Sequence, residues 1–448
     1  MAADDRSRHS TKRRTAHAGS PASPASLPTL GRVPWWAVIL SLLVLVSADF
    51  AVDPIRNAST FQRVPDVHLV LSTGYLLLAP ICSVLDTLSL MSVRQHIAIL
   101  ITLVALFAAC RAWRGFRHGT GFLRELKAAA LALGGLVLVY AVGALVPRPM
   151  AAVSVDTPFN DAVLVADFHS HTKFSHDGAP WFSPEANRRW HRNAGFDVAY
   201  ITDHRTVQGA EDGIANNPPV AGEGTMILQG LEVVWRGAHV NLLGAERRYR
   251  GLTDPALRDL DDTSLALASA IPNSEPIVVY TFPDLMRNLH PAHGPGTPGA
   301  RAIEIIDASP RGLGDVRRLR TVISYVADTF NLALVAGSDN HGWGFTAAGW
   351  TLVSLPGWRG MSTDSLAAAI DDVIRTRGFE GTTVVERRVA NTRGSTWRLI
   401  ATAPLVVSRM FTMLTNDERV SWLLWIWAIA LAPVAWRRRR PRGAAGAA

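Results

Sequence analysis

The chain has 448 residues, 48% hydrophobic and only 18% charged, with mean hydropathy +0.14. That balance excludes disorder over most of its length and points to a membrane-embedded part, while two cysteines, Cys82 and Cys110, both in apolar stretches, exclude a disulfide scaffold and a cysteine zinc site. The net charge of +8 sits in three patches (1–32, 111–127 and the five arginines after Trp436), whereas 149–436 hold 25 basic and 30 acidic residues, which argues against a nucleic-acid surface and suits a site that gathers cations.

Residues 1–32, rich in Ser, Ala, Pro, Arg and His, read as a disordered basic cytoplasmic tail. A transmembrane helical region is expected over 33–147. Its first apolar stretch, Pro34–Val52, starts late and lacks a small-residue cleavage pattern, so an uncleaved anchor is expected rather than a signal peptide. Further apolar stretches cover 67–91, broken by Pro80 and Asp86, then 96–110 and 128–146, and a last one covers 420–436 with tryptophans near both ends. If all five spanned, the 111–127 loop and the terminal arginine run would lie outside; if 67–91 is re-entrant or interfacial, every basic patch lies in the cytoplasm. The four-span arrangement is expected. It describes a multi-pass protein of the cell (inner) membrane with its large 149–419 region on the non-cytoplasmic side. Asp86 then reads as a polar break in a non-spanning segment.

Between 160 and 395 the pattern changes. Seven short apolar runs, Val163–Phe168, Asp197–Thr202, Met226–Val234, Val240–Leu243, Ile277–Phe282, Ala302–Ile306 and Leu332–Ala336, are mostly β-branched and non-alternating, as in strands buried on both faces. Helical spacing fills 183–194, 315–330 and 362–377, with Ser183 before Pro184 as an N-cap signal. The alternation predicts an α/β domain, a mostly parallel seven-stranded β/α barrel. Residues 397–448 are read as an interfacial segment, a C-terminal transmembrane helix and a basic tail.

Polar groups gather just after these runs: His169-Ser170-His171, Ser175-His176-Asp177, Thr202-Asp203-His204, Glu232 with His239 seven residues on, and Asp339-Asn340-His341. Histidines at i and i+2 on extended chain point the same way, so His169 and His171 can clasp one ion, and Asp339 with His341 repeats the device. Strand ends of a parallel barrel converge on one face, and imidazole with carboxylate suits zinc, manganese or iron. His191 reads as a surface or packing residue, His290 and His293 as loop residues, and Glu304 as either structural or metal-proximal. No G-x-S-x-G elbow and no phosphate-binding loop motif occurs.

The stretches DFHSHTKFSHDG, AYITDH, GLEVVW with a following histidine, and GSDNH together resemble the PHP (polymerase and histidinol phosphatase) superfamily over about 160–345. The resemblance implies a distorted (β/α)7 barrel flanked here by transmembrane helices, two or three divalent metals, and phosphoester hydrolysis by a metal-activated water. Carried over by motif, the metal ligands are His169, His171, Asp177, His204, Glu232, His239, Asp339 and His341. The family often places a further ligand after the fifth strand, but here that run ends Tyr280-Thr281-Phe282. Two ions are therefore expected, a third only if His176 compensates. Asp203 either orients a ligand imidazole or binds metal directly, and Lys173 and Arg205, beside ligand motifs, are candidates for holding substrate phosphate. The expected function is a membrane-anchored metal-dependent phosphoesterase with a phosphoester substrate, the lipid bilayer as partner and no nucleic acid. The alternatives are a metal hydrolase of another ester or amide, or a non-catalytic membrane sensor or scaffold with a structural metal site.

Overall fold

All seven apolar runs form strands. The computed structural model describes residues 34–118, 121–244, 259–260, 276–281, 289–293, 299–309, 311–392 and 396–439; the tail at 1–32 and the last residues of the basic C-terminus lie outside them. In chain order the strands are β1 (Ile55–Asn57), β2 (Val67–Leu71), β3 (Ala151–Val155), β4 (Val163–Ser170), β5 (Val198–Ile201), β6 (Met226–Trp235), β7 (Ala238–Leu243), β8 (Asp259–Leu260), β9 (Ile277–Tyr280), β10 (Ala300–Asp307), β11 (Ala333–Gly337), β12 (Gly349–Ser354) and β13 (Thr382–Arg387). Eleven of them form one curled sheet in the order β1-β13-β12-β4-β5-β6-β7-β9-β10-β11, with β8 on β6, while β2 pairs with β3 alone.

The sheet is mixed, which corrects the mostly parallel expectation. β4–β5–β6 and β9–β10–β11 run parallel, but β7 is antiparallel to both β6 and β9, and β12 is antiparallel to β4 and β13. Only Arg236 and Gly237 separate β6 from β7, both with positive φ, so the chain turns back as a tight hairpin where a crossover helix has no room. β12 and β13 add an antiparallel flank that the seven-run reading did not include. Across the gap between β11 and β4 the chain joins just beyond the strands: Asp339 N–H donates to His169 O at 2.9 Å and His171 N–H to Asn340 O at 3.0 Å.

β4 is buried along its whole length, and its alternate residues serve two cores. Leu164, Ala166 and Phe168 pack with Val198, Tyr200 and the helix residues Leu366 and Ile370, while Val163 and Val165 pack with Trp190, Phe196 and Trp350. Truncating one such side chain, for example Ile370→Ala, is expected to cost about 2–5 kcal/mol. The helix Pro184–Ala194 starts where Ser183 Oγ accepts from Ala186 N–H at 3.2 Å and ends at Gly195, whose φ of 87° releases the chain towards β5. That helix braces β4 from outside.

Among the described residues, two helices are long and apolar enough to cross a membrane, with apolar segments Val93–Gly115 and Leu123–Leu145. Their most apolar windows are 6% and 0% buried in the protein, so they are not core helices. His96 Nδ1 lies 2.7 Å from Tyr140 Oη near one end of the pair, and Arg111 binds Glu125 near the other, which fixes an antiparallel hairpin. Trp35–Phe50 is a shorter apolar helix within the 34–52 stretch. The 67–91 stretch is β2 followed by the helices Thr73–Leu77 and Ala79–Ser89, and 420–436 lies in the helix Asn416–Arg439.

Asp86 is more than a polar break. It is 2% exposed and joins the helices to the curled sheet. Its Oδ1 accepts from Arg148 Nη2 at 3.1 Å and Thr346 Oγ1 at 2.7 Å, and its Oδ2 from Arg387 Nη1 at 2.7 Å and Tyr75 Oη at 2.9 Å. A charge so buried persists only when paired in this way.

Candidate metal centre

The polar groups meet at one end of the curled sheet. β4 ends at Ser170 and delivers His169 and His171; Asp203 and His204 follow β5; Glu232 lies near the end of β6; Asp339 and His341 follow β11. β7 is antiparallel, so its beginning, not its end, lies at this face, and His239 is registered against Val234 there. Asp339 adopts a φ of 45°, a left-handed conformation that Asp tolerates better than most residues.

The donors converge closely. His169 Nε2 and His171 Nε2 are 3.1 Å apart, and each is 3.1 Å from Glu232 Oε2. Asp339 Oδ1 lies 3.4 Å from the first nitrogen and 3.3 Å from the second. Donors sharing one ion tetrahedrally at ~2.0–2.1 Å stand roughly 3.3–3.4 Å apart, close to the five spacings above. Two imidazole nitrogens facing each other and one carboxylate oxygen are donors arranged about a common centre, so the residues fit a divalent cation. A second group adjoins it: Asp177 Oδ2 is 3.1 Å from His341 Nε2 and 3.5 Å from His204 Nε2. Glu232 reaches towards both, with Oε2 3.5 Å from His204 Nε2 and Oε1 2.6 Å from His239 Nδ1. The rings of His171 and His341 stack at 4.0 Å between the two groups.

The electrostatics favour a cation. Burial pushes the His169 imidazole pKa down, but the Glu304, Glu232 and Asp339 carboxylates outweigh it and hold that pKa well above its usual value. His171 is raised to about 9 by Asp339 and Glu232 against the same burial. In return Glu232, though buried, is held well below the carboxylate range by His169, His171 and His239. Protons on the imidazoles therefore balance the carboxylates, and a cation would replace them.

Of the other residues singled out, His176 stands exposed at the rim, its Nδ1 3.9 Å from Asp177 Oδ1. Lys173 and Arg205 are exposed too. Among the described residues Asp203 makes no hydrogen bond to an imidazole: its Oδ1 accepts from Thr172 N–H and its Oδ2 from the Thr172 hydroxyl, both at 2.6 Å. It fixes the turn after His171. Thr281, after β9, donates its N–H to His239 O at 3.3 Å, and its buried hydroxyl has no hydrogen-bond partner among the described residues; Phe282 lies outside the described residues.

Three supporting residues escaped the sequence reading or were left open. Glu304 is fully buried with Oε1 2.9 Å from His169 Nδ1. Asp167 Oδ1 accepts from His169 N–H at 3.2 Å and Ser338 N–H at 2.9 Å, tying the first donor loop to the last. Its Oδ2 lies 2.7 Å from Nε2 of His191, a fully buried residue and not a surface one. The available signal was a carboxylate inside an otherwise apolar strand, in VADF and again in AIEII.

No protein-family model matches the chain, and no curated protein matches it. Among solved structures, PsfC from Pseudomonas syringae is 18% identical, covering 56% of this chain and 98% of its own, with TM-score 0.34. A two-domain protein from Bacteroides vulgatus, described as containing a predicted PHP-like metal-dependent phosphoesterase, is 15% identical, covering 51% and 66%, with TM-score 0.33. A putative metal-dependent phosphoesterase from Bifidobacterium adolescentis is 15% identical, covering 48% and 96%, with TM-score 0.27. Scores this low say nothing about activity.

Proposed function

We propose that the chain is a membrane-anchored, metal-dependent phosphoesterase resembling the PHP superfamily. The observation that carries this reading is the convergence of His169, His171 and Glu232 at 3.1 Å from one another, with Asp339 Oδ1 3.3–3.4 Å from the two imidazole nitrogens and Asp177, His204 and His341 alongside. The first four residues would hold one divalent ion, zinc, manganese or iron, and the last three a second, with Glu232 shared and His239 beside it. With Thr281 after β9, two ions are proposed and not three. Bound there, they would supply an activated water at neutral pH and neutralise the phosphoryl charge.

The chain's own residues set the geometry for that chemistry. Glu304 holds Nδ1 of His169 and leaves Nε2 directed into the pocket. Asp203 and Asp167 fix the loops on either side. Lys173 and Arg205, exposed beside the donor loops, are proposed to meet the charge of a phosphate. Anchoring is proposed through the hairpin of Val93–His118 and Phe122–Leu145, whose apolar surfaces lack partners enough to bury them. Arg111, Arg114, Arg124 and Lys127 lie towards the hairpin end away from the curled sheet, which supports a sheet domain on the non-cytoplasmic side of the inner membrane.

The test is hydrolysis of a panel of phosphomonoesters and phosphodiesters by full-length protein loaded with manganese or zinc. His169→Ala combined with Asp339→Ala should abolish turnover. Unchanged turnover in that variant, or hydrolysis confined to amides and carboxylic esters, would overturn the reading.

A further inference from the structure

The segment carrying Asp339 and His341 is bolted at its other end to the apolar hairpin. Gly344 N–H donates to Ala144 O, in the last turn of the helix Phe122–Leu145, at 3.0 Å. Arg148, just past that helix, donates to Gly143 O at 3.0 Å, to Thr346 Oγ1 at 2.8 Å and to Asp86. Only two residues separate His341 from Gly344, so the candidate centre lies within roughly 10 Å of backbone from the helix end. If Leu123–Leu145 crosses the hydrocarbon core, that end sits at the level of the lipid headgroups.

Two tryptophans stand on this short segment and its neighbour. Trp181 and Trp343 are 56% and 49% exposed, their rings edge to face at 4.8 Å, and Trp181 Nε1 donates to Gly342 O at 3.3 Å. Half-exposed indoles beside a helix end, with Lys173 exposed and Phe174 half-buried near by, have the composition of a surface that rests in the headgroup layer, where an apolar ring and a polar N–H are both satisfied.

We infer that the mouth of the metal centre opens on the bilayer surface, seated there by Trp181 and Trp343, and that the substrate is the phosphoester headgroup of a membrane-resident lipid. The substrate half rests on the phosphoesterase reading; the seating half does not. A phosphate held in the headgroup layer reaches the donors without leaving the membrane, whereas a soluble ester must be drawn from bulk water.

Full-length protein with Cys110→Ser, carrying a fluorophore on Trp343→Cys, is reconstituted in vesicles of phosphatidylethanolamine and phosphatidylglycerol containing headgroup-spin-labelled lipid. Trp181→Cys is a second label position should the first fail to fold. The control label is on Asp364→Cys, beyond the β12 end registered with Val163, at the far end of the sheet from His169. Lipid quenching at 343 or 181 several-fold above that at 364 is expected; equal quenching, or none at 343 and 181, overturns the seating. In parallel, manganese-loaded protein is assayed on phosphatidic acid in those vesicles and on glycerol 3-phosphate in solution. At least tenfold higher kcat/KM for the lipid is expected, and an equal or better soluble ester overturns the substrate assignment. Quenching at 343 with neither ester hydrolysed keeps the seating and overturns the substrate assignment, and the phosphoesterase reading falls with it only when the phosphodiesters of the wider panel are left intact as well.

Discussion

Glu304 Oε1 lies 2.9 Å from Nδ1 of His169, with both side chains out of contact with solvent. Burial raises the Glu304 pKa well above the usual carboxylate range, and the His169 imidazole opposes that rise. The pair fixes which ring nitrogen faces the pocket. Replacement by the isosteric neutral amide, Glu304→Gln, is therefore expected to weaken divalent-metal affinity about 10–100-fold while the protein stays folded. A metal titration of the variant checks this, and unchanged affinity would refute it.

Gly337 makes that pair possible. A Cβ on it would run into Glu304 Oε1 and come within 2.7 Å of His169 Cβ. Gly337→Ala is expected to destabilise by about 1–3 kcal/mol and to lower metal affinity as well. Denaturant unfolding together with the metal titration separates the two effects; a variant as stable and as tight as the parent would contradict the packing described.

Asp203 serves the fold of the first donor loop. Asp203→Asn removes a charged acceptor from Thr172, and a loss of about 1–3 kcal/mol is expected, with metal stoichiometry retained. Denaturant unfolding alongside metal analysis decides. Loss of metal without loss of stability would make Asp203 a ligand after all.

The metal-free protein should lose stability as pH rises. An imidazole whose pKa rises from ~6.5 unfolded to about 9 folded, as for His171, stabilises fully below the first value, and the gain is lost as pH climbs through the second. Asp307, pushed up to about 7 by burial and Asp339, acts with the same sign at lower pH, its share being lost by about pH 7. Glu232 and Asp339, held low, lose their contribution only at acid pH. Chelator-treated protein should thus show a falling Tm between pH 7 and 9, and saturating manganese should flatten the curve. A Tm that is level or rises without metal would contradict this.

The strands of the curled sheet could be read because their residues announce burial on both faces: every residue of β4, β5, β9 and β11 is buried. Direction could not be read in the same way. β7 is as apolar as its neighbours, and only the two-residue turn at Arg236-Gly237 dictates that it runs back. The donor set was legible because i, i+2 spacing on extended chain is a local property. The carboxylates that support it were not, since Glu304 and His169 are 135 positions apart and nothing in either segment names the other. Asp86 gave the same difficulty, as its partners Arg148, Thr346 and Arg387 come from three distant segments.

His169, His171, Glu232 and Asp339 are proposed to surround one divalent ion, with a second beside Asp177, His204 and His341. Anomalous difference density from crystals of the manganese- or zinc-loaded protein tests this most directly. Two peaks, one within about 2.0–2.3 Å of donor atoms in each group, are predicted; density absent from both groups, with the side chains in place as described, would contradict the account.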